Sequence, residues 1–243
     1  MKPTWVFVVG TYRTGSTTQY LLAEAIIRAT KHGTSIGYEN TARLIDYDAG
    51  RYGPYVLSKT FRFLPATTER GRTFLEERRL RAIGTIRDPR DIIVSMRERS
   101  KDLGNKDWSF EHTVTVDFPV WLGQFEQWIA LEKNLTLVTR FEDMIVDLEE
   151  EVRRIAQHLN IKISLELVRE IAKKYSLPEQ QRRKQRFLGR KNRNDGAKEH
   201  PFLPSIPGWK FGTAGHWPKW LSPEEAKLVE KHARSYMRRG GYK

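Results

Sequence analysis

Short apolar segments alternate with segments of helical periodicity along most of this chain. Segments rich in β-branched and aromatic residues predict buried strands at residues 5–9, 55–59, 81–86 and 135–139. Apolar residues at three- and four-residue spacing predict helices at residues 16–30, 69–79, 118–131, 148–159, 165–175 and 223–239. A further helix is predicted to start at Asp88-Pro89, an N-cap residue followed by proline. The alternation predicts an α/β fold with a central parallel sheet flanked by helices.

Other segments lack a clear periodicity. Residues 34–43 are polar and predict a loop, and residues 103–115 predict a polar connection. Residues 180–207 are basic and then rich in proline, which predicts a long loop. This basic loop has two interpretations, a lid over a binding site or a solvated stretch. The chain of 243 residues is long enough for one domain with a full core, so residues 1–243 are expected to form a single domain.

The segment between the first strand and the first helix carries the clearest chemical signal. Residues 10–17 read GTYRTGST, and a hydroxyl-rich turn between a strand and a helix directs backbone N–H groups toward a phosphate. A nucleoside-triphosphate loop reads GxxxxGK[ST], whereas Ser16 stands here in place of the lysine and Arg13 supplies a cation earlier. The loop therefore predicts an anion site that differs from an ATP–magnesium site.

Cations recur where the predicted strands end. Arg13, Lys59, Arg87 and Arg140 all fall at or just after such ends. Because ligands of parallel sheets bind outside the carboxyl ends of the strands, these side chains are expected to share one edge. The sequence therefore predicts a site for a ligand with several negative charges.

Composition narrows the function classes. Lys+Arg of 43 against Asp+Glu of 30 gives a net charge of +13, which favours an anionic ligand, an acidic substrate or nonspecific nucleic-acid binding. The absence of cysteine excludes disulfides, a thiol nucleophile and thiolate metal sites, and the histidines show no metal-binding spacing, so no metal site is predicted. No apolar run reaches the roughly 20 residues of a membrane helix. We therefore expect a soluble, cytoplasmic protein without a membrane partner.

Two separate segments resemble one protein family. The loop at residues 10–17 resembles the 5′-phosphosulfate loop of sulfotransferases, and residues 87–95, RDPRDIIVS, are similar to their 3′-phosphate motif, RDPRDxxxS. Arg87 leaves a strand end and Ser95 follows two helical turns later, so a guanidinium and a hydroxyl are suited to one phosphate. Residues 137–147 and 210–217 are similar to the family's YEDL and RKGxxGDW segments, although Phe211 and His216 depart from the second pattern.

The resemblance implies the transfer of a sulfuryl group from 3′-phosphoadenosine 5′-phosphosulfate (PAPS) to an acceptor hydroxyl or amine, without a metal. The acceptor is expected to be a small molecule, a glycan or a peptide. Arg13 would stabilise charge on the leaving phosphate, and Lys59 would contact the sulfuryl group or the bridging oxygen. The implied donor-binding residues are Arg13, Thr14, Gly15, Ser16, Thr17, Arg87, Ser95, Tyr175, Lys210 and Gly212.

The general base is harder to assign from the resemblance. Many members of the family use a histidine in a Lys-Thr-His segment, where this chain has Lys59-Thr60-Phe61. Other branches, including the tyrosylprotein type, use a glutamate in a GEETR-like context, which residues 37–43, GYENTAR, resemble. Glu39 is therefore the predicted base, with His112 and Lys59 as alternatives.

Two other functions compete with this hypothesis. One is a nucleotide kinase or hydrolase of the P-loop class, although the missing GK[ST] argues against it. The other is a nonenzymatic basic module that binds RNA or DNA. Because none of the common recognition motifs is present, no specific nucleic-acid partner is expected.

Overall fold

A parallel sheet organises the protein. The computed structural model describes residues 2–38, 53–182 and 214–243. Within these ranges five strands form one sheet in the order β2-β3-β1-β4-β5, and all neighbouring pairs are parallel. The strands are β1 (Thr4–Val9), β2 (Gly33–Tyr38), β3 (Tyr55–Thr60), β4 (Leu80–Ile86) and β5 (Thr136–Arg140). The predicted α/β fold with a central parallel sheet is confirmed.

Helices connect the strands, and further helices come after the last strand along the chain. Those of the first half are α1 (Ser16–Ala29), α2 (Leu64–Thr67), α3 (Glu69–Glu76), α4 (Pro89–Asp102) and α5 (Phe110–His112), followed by a π-helical turn (Thr113–Asp117). Those of the second half are α6 (Phe118–Ile129), α7 (Phe141–Val146), α8 (Leu148–His158), α9 (Leu165–Tyr175), a 3₁₀ turn (Trp217–Lys219), α10 (Pro223–His232) and α11 (Arg234–Gly240).

The helices cover both faces of the sheet. Odd-numbered side chains of β1 pack into one apolar cluster with α4, α6, α10 and α11. Even-numbered side chains of β1 pack into a second cluster with α1, α8 and α9. Because both of its faces are buried, β1 is apolar at five consecutive positions, as predicted for residues 5–9.

A buried polar network joins α1 to the end of β5. The Gln19 amide donates to the Glu151 carboxylate at 2.8 Å, and the Thr139 hydroxyl donates to the same carboxylate at 2.9 Å. Burial raises the pKa of Glu151, and these donors oppose that effect. The network fixes the first helix against β5 just below the carboxyl edge of the sheet.

Three local predictions differ from the structure. Residues 34–43 were expected to be a loop, yet residues up to Tyr38 form β2, an edge strand whose register against β3 shifts after Ser35. An edge strand has one partner and one open side, so its sequence need not be apolar. Residues 110–117 form α5 and the π-helical turn, and the last predicted helix divides at Ala233 into α10 and α11. Among the described residues, none of the helices has the length and apolar character that crossing a bilayer requires.

Candidate active site

The loop after β1 turns back through two residues in the left-handed region. Arg13 has φ 66° and Gly15 has φ 93°. A Cβ at Gly15 would lie 2.5 Å from the Phe141 ring, so glycine is needed both for the conformation and for the space. The Thr14 hydroxyl donates to the Thr11 carbonyl at 3.0 Å and tightens the turn.

Helix α1 starts directly from this turn. Its N-cap is Gly15, which has no side chain to accept from the first N–H groups, and its first turn carries no acidic residue. These N–H groups and the positive end of the helix dipole are therefore available to an anion.

The two predicted phosphate motifs meet in space. Arg13 Nε donates to Ser95 Oγ at 3.0 Å, and Arg87 Nη1 donates to the Arg13 carbonyl at 2.9 Å. The hydrogen bond from Arg87 helps to hold Arg13 in its unusual backbone conformation. Arg87 and Ser95 are both only 2% exposed. The structure thus brings Arg13, Arg87 and Ser95 together, as the sequence predicted.

Arg87 is a buried cation at the end of β4. Its backbone N–H donates to the Tyr236 hydroxyl at 3.1 Å, and its guanidinium carbon lies 4.4 Å from the centre of the Phe141 ring. Burial lowers the pKa of Arg87, and the negative charges of Asp91 and Glu142 oppose that effect. A desolvated guanidinium of this kind gains from a dianionic phosphate, which it can bind through two parallel hydrogen bonds.

Lys59 ends β3 on the other side of the loop. Lys59 is 2% exposed, and its ammonium group donates to Thr17 Oγ1 at 2.7 Å. Burial lowers the pKa of Lys59 to about 7, and the nearby positive charge of Arg13 contributes to the same effect. Lys59 is therefore a cation that a bound anion would stabilise.

An aromatic wall adjoins Lys59. Its Nζ lies 5.3 Å from the ring centre of Tyr38 and 5.7 Å from that of Phe61. The Tyr12 ring stacks on Phe61 at 4.6 Å and meets Trp121 edge-on at 4.7 Å. Tyr12 and Tyr38 are 43% and 45% exposed, so this wall presents apolar surface to solvent. The sequence interpretation missed it, since the aromatic residues of 118–131 were assigned to core packing.

The second arginine of the RDPRD sequence has a structural role. Arg90 pairs with Asp88 at 2.8 Å and with Glu230 of α10 at 2.8 Å, and it stacks over the Trp217 ring at 4.1 Å. Asp88 also caps α4 by accepting from the backbone N–H of Arg90 at 2.9 Å. Arg90 therefore ties the start of α4 to the C-terminal helices.

Asp91 connects the segment at residues 215–217 to the start of α4. Its buried carboxylate accepts from the backbone N–H groups of Gly215, His216 and Trp217 at 2.6, 3.0 and 2.9 Å. Sequence reasoning did not assign this role. Asp91 is the second acid of the RDPRD sequence, which was a possible signal. Its partners, however, lie far along the chain, with Gly215 124 residues away.

Arg140, the cation at the end of β5, contacts the C-terminal segment. Its guanidinium carbon lies 4.8 Å from the Tyr242 ring centre, and its Nε is 3.7 Å from a carboxylate oxygen of Glu142. Glu142 also accepts from the Tyr242 hydroxyl at 2.7 Å and from the backbone N–H of Asp88 at 3.2 Å. Arg140 thus helps to connect β5 with the C-terminal segment.

The remaining predicted residues are less closely connected with the loop. Tyr175 is 8% exposed and packs in the apolar cluster of α1, α8 and α9. The His112 side chain is exposed on α5, with Nε2 3.8 Å from Asp117. Glu39, Lys210 and Gly212 lie outside the described residues, as does most of the basic loop at 180–207. The roles predicted for these residues stay predictions. Among the described side chains, no group of three or more metal-ligating residues occurs.

Comparison with known proteins identifies one family. The sequence profile of the sulfotransferase domain matches residues 3–241. In structure, the chain is similar to mouse sulfotransferase SULT7A1 complexed with PAP, with a TM-score of 0.67, 18% identity, and coverage of 96% of this chain and 84% of that one. It is also similar to retinol dehydratase in complex with androsterone and inactive cofactor PAP, with a TM-score of 0.63, 16% identity, and coverage of 98% and 82%. A search of curated proteins by sequence found no match.

Proposed function

The chain belongs to the sulfotransferase domain family, and we propose that it binds PAPS at the carboxyl edge of the sheet and transfers the sulfuryl group to an acceptor hydroxyl or amine. One observation carries the assignment of the donor site. Arg13 contacts Ser95 and Arg87 contacts the Arg13 backbone, so the loop at residues 10–17 and the motif at residues 87–95 form one cationic site. Both solved structures compared above contain PAP, adenosine 3′,5′-bisphosphate, which is the product of such a donor.

The residues present fit this donor. The start of α1 and the amides of residues 14–17 would hold the 5′-phosphate, because they are N–H donors not capped by a side chain at Gly15. Arg87 and Ser95 would hold the 3′-phosphate. Arg13 and Lys59 would face the reacting end. PAPS lacks β- and γ-phosphates, which accounts for Ser16 in place of the lysine of a triphosphate loop.

The mechanism rests on charge placement. The bound donor supplies the electrophilic sulfuryl group. Arg13 and Lys59 place positive charge beside the loop and would stabilise the charge that develops on the leaving phosphate. Lys59 is held by Thr17 at 2.7 Å, so its ammonium group is positioned before any ligand binds.

The acceptor site is proposed at the aromatic wall. Tyr12 follows β1, Phe61 follows β3 and Trp121 lies on α6, and their rings contact one another. Tyr12 is exposed and directly precedes Arg13 in the loop. Exposed aromatic side chains of this kind bind the apolar face of a ring in a ligand. The retinol dehydratase structure contains androsterone, a small molecule, which supports a small-molecule acceptor here as well. Glycan and peptide acceptors stay predictions, as does cytoplasmic residence.

Ligand-induced stabilisation tests the donor assignment. PAP at 100 times its Kd is expected to add about 2.7 kcal/mol to the free energy of unfolding, because it binds only the folded state. A thermal-shift series with PAP and, separately, ATP–magnesium measures this. Stabilisation by ATP–magnesium without any by PAP would overturn the proposal in favour of a kinase or hydrolase. Oligonucleotide binding that PAP leaves unchanged, together with no PAP shift, would favour the nucleic-acid module.

Removal of the proposed base tests the role of Glu39. Glu39→Gln is expected to lower kcat by about 10²-fold or more, since an amide cannot accept the acceptor's proton. PAP affinity should change little, because the proposed role of Glu39 is to take a proton from the acceptor and not to bind the donor. Turnover and PAP titration are measured on the same preparation, with Glu166→Gln on the exposed face of α9 as the matched control. Normal turnover in Glu39→Gln would exclude Glu39 as the base and leave His112 and Lys59.

A further inference from the structure

Helices α10 and α11 border a groove of about 580 Å³ outside the donor site. Lys227, Lys231, Arg234 and Arg238 line it and are all exposed. Lys227 and Lys231 lie one turn apart on α10, and Arg234 and Arg238 lie one turn apart on α11. Within the described ranges, none of these four cations forms an ion pair. Like charges at this spacing repel one another, and an anionic ligand would relieve that repulsion.

The acid in the groove does not offset this charge. Glu230 lies among the cations, but its Oε1 accepts from Nη1 of the buried Arg90 at 2.8 Å. Its negative charge is therefore already paired within the protein. The groove keeps an excess of positive charge along its length, which favours a ligand with several negative charges in a row.

The uncharged lining indicates which kind of polyanion fits. Met237 is 6% exposed, so it offers little apolar surface for insertion into a bilayer. Tyr242 has the Arg140 guanidinium 4.8 Å from its ring centre, so the groove lacks the row of open aromatic faces on which successive bases stack. A polymer that carries regularly spaced anionic groups but no bases matches this lining.

We propose that the α10–α11 groove binds a linear sulfated glycan. The arginine and lysine side chains of the two helices line the same groove and would contact successive sulfate groups. The proposal rests on the charges and shape of this groove, and it holds whether or not PAPS is the donor.

Fluorescence anisotropy with a labelled heparin hexasaccharide tests this, in saturating PAP so that the donor site is occupied. Arg234→Glu/Arg238→Glu is expected to weaken binding at least tenfold, and wild-type binding should fall steeply with added salt. The matched control is Arg169→Glu/Lys173→Glu, which reverses two exposed cations at the same spacing on α9. It should change the affinity by about twofold or less.

Other outcomes would overturn the proposal. Equal losses in the two double variants would show that only the net charge of the protein attracts the glycan. Equal or tighter binding of a single-stranded oligothymidylate of the same charge would assign the groove to nucleic acid. If Arg234→Glu/Arg238→Glu does not fold, as judged by the loss of a cooperative thermal unfolding transition, then Lys227→Gln/Lys231→Gln replaces it, with at least a fivefold loss expected. An unchanged affinity in that variant would also refute glycan binding in the groove.

Discussion

Arg87→Ala is expected to weaken PAP binding by at least about 30-fold, because truncating a buried charged partner costs about 2–5 kcal/mol and each 1.4 kcal/mol is tenfold. Arg87 is 2% exposed, so water cannot easily replace its guanidinium at a phosphate. Arg87→Lys should recover only part of the loss, because an ammonium group cannot make two parallel hydrogen bonds. Isothermal titration with PAP measures both variants.

The loss of affinity in Arg87→Ala should depend on the 3′-phosphate of the nucleotide. Adenosine 5′-monophosphate lacks that group, so its affinity, measured by competition, should change little in Arg87→Ala. Arg87 also donates to the Arg13 carbonyl, and a general disturbance of the loop would weaken both nucleotides alike. An equal loss for PAP and for the monophosphate would therefore remove Arg87 from the 3′-phosphate. Arg169→Ala, an exposed arginine on α9, should bind both nucleotides normally.

Much of the fold was predictable because its signals are local. β1 is buried on both faces, so five consecutive apolar residues mark it without any knowledge of its neighbours. The turn at Gly15 and the start of α4 at Pro89 also have sequence signals within a few positions. The positions of the phosphate motifs then predicted where the candidate site lies, since the carboxyl ends of parallel strands share one edge.

The features that the sequence did not reveal depend on distant partners. β2 is stabilised by pairing with β3, so its polar sequence alone resembles a loop. Asp91 binds backbone N–H groups, which every residue type offers, and no sequence pattern could single out Gly215 as a partner. Trp121 has the spacing of a core residue, but only the tertiary structure brings Tyr12 against it and makes both part of an exposed wall.

Lys59→Met is expected to lower kcat by about 10²-fold or more, the effect of removing one preorganised charge from a site where negative charge develops. Methionine keeps much of the side-chain volume next to Thr17 and the aromatic wall, so the change is mainly one of charge. Single-turnover rates at saturating donor isolate this step from binding. Lys162→Met, at an exposed position, is the matched control and should turn over normally. Wild-type turnover in Lys59→Met would remove Lys59 from the reaction.

The same substitution should stabilise the ligand-free protein. Burial lowers the pKa of Lys59 to about 7 from an unfolded value of 10.5, so the unfolded state holds more protons between these values. The cost of burying the ammonium group is therefore fully present below pH 7 and disappears as the pH rises toward 10.5. Thermal unfolding without ligand should show a higher Tm for Lys59→Met than for wild type near pH 7, with a smaller difference near pH 9. A lower Tm at neutral pH would contradict the desolvation of Lys59.

Donor binding should show the opposite pH dependence. A phosphate beside Lys59 favours its charged form and raises its pKa in the complex, so PAP binding takes up a proton above pH 7. PAP affinity should then fall as the pH rises above 7, while the ligand-free protein gains stability over the same interval. In Lys59→Met the proton uptake should disappear from titrations in buffers of different ionisation enthalpy. Undiminished uptake in that variant would assign the proton to another group. The buried charge of Lys59 thus lowers the stability of the ligand-free protein. Binding of the anionic donor next to this charge would offset part of that cost.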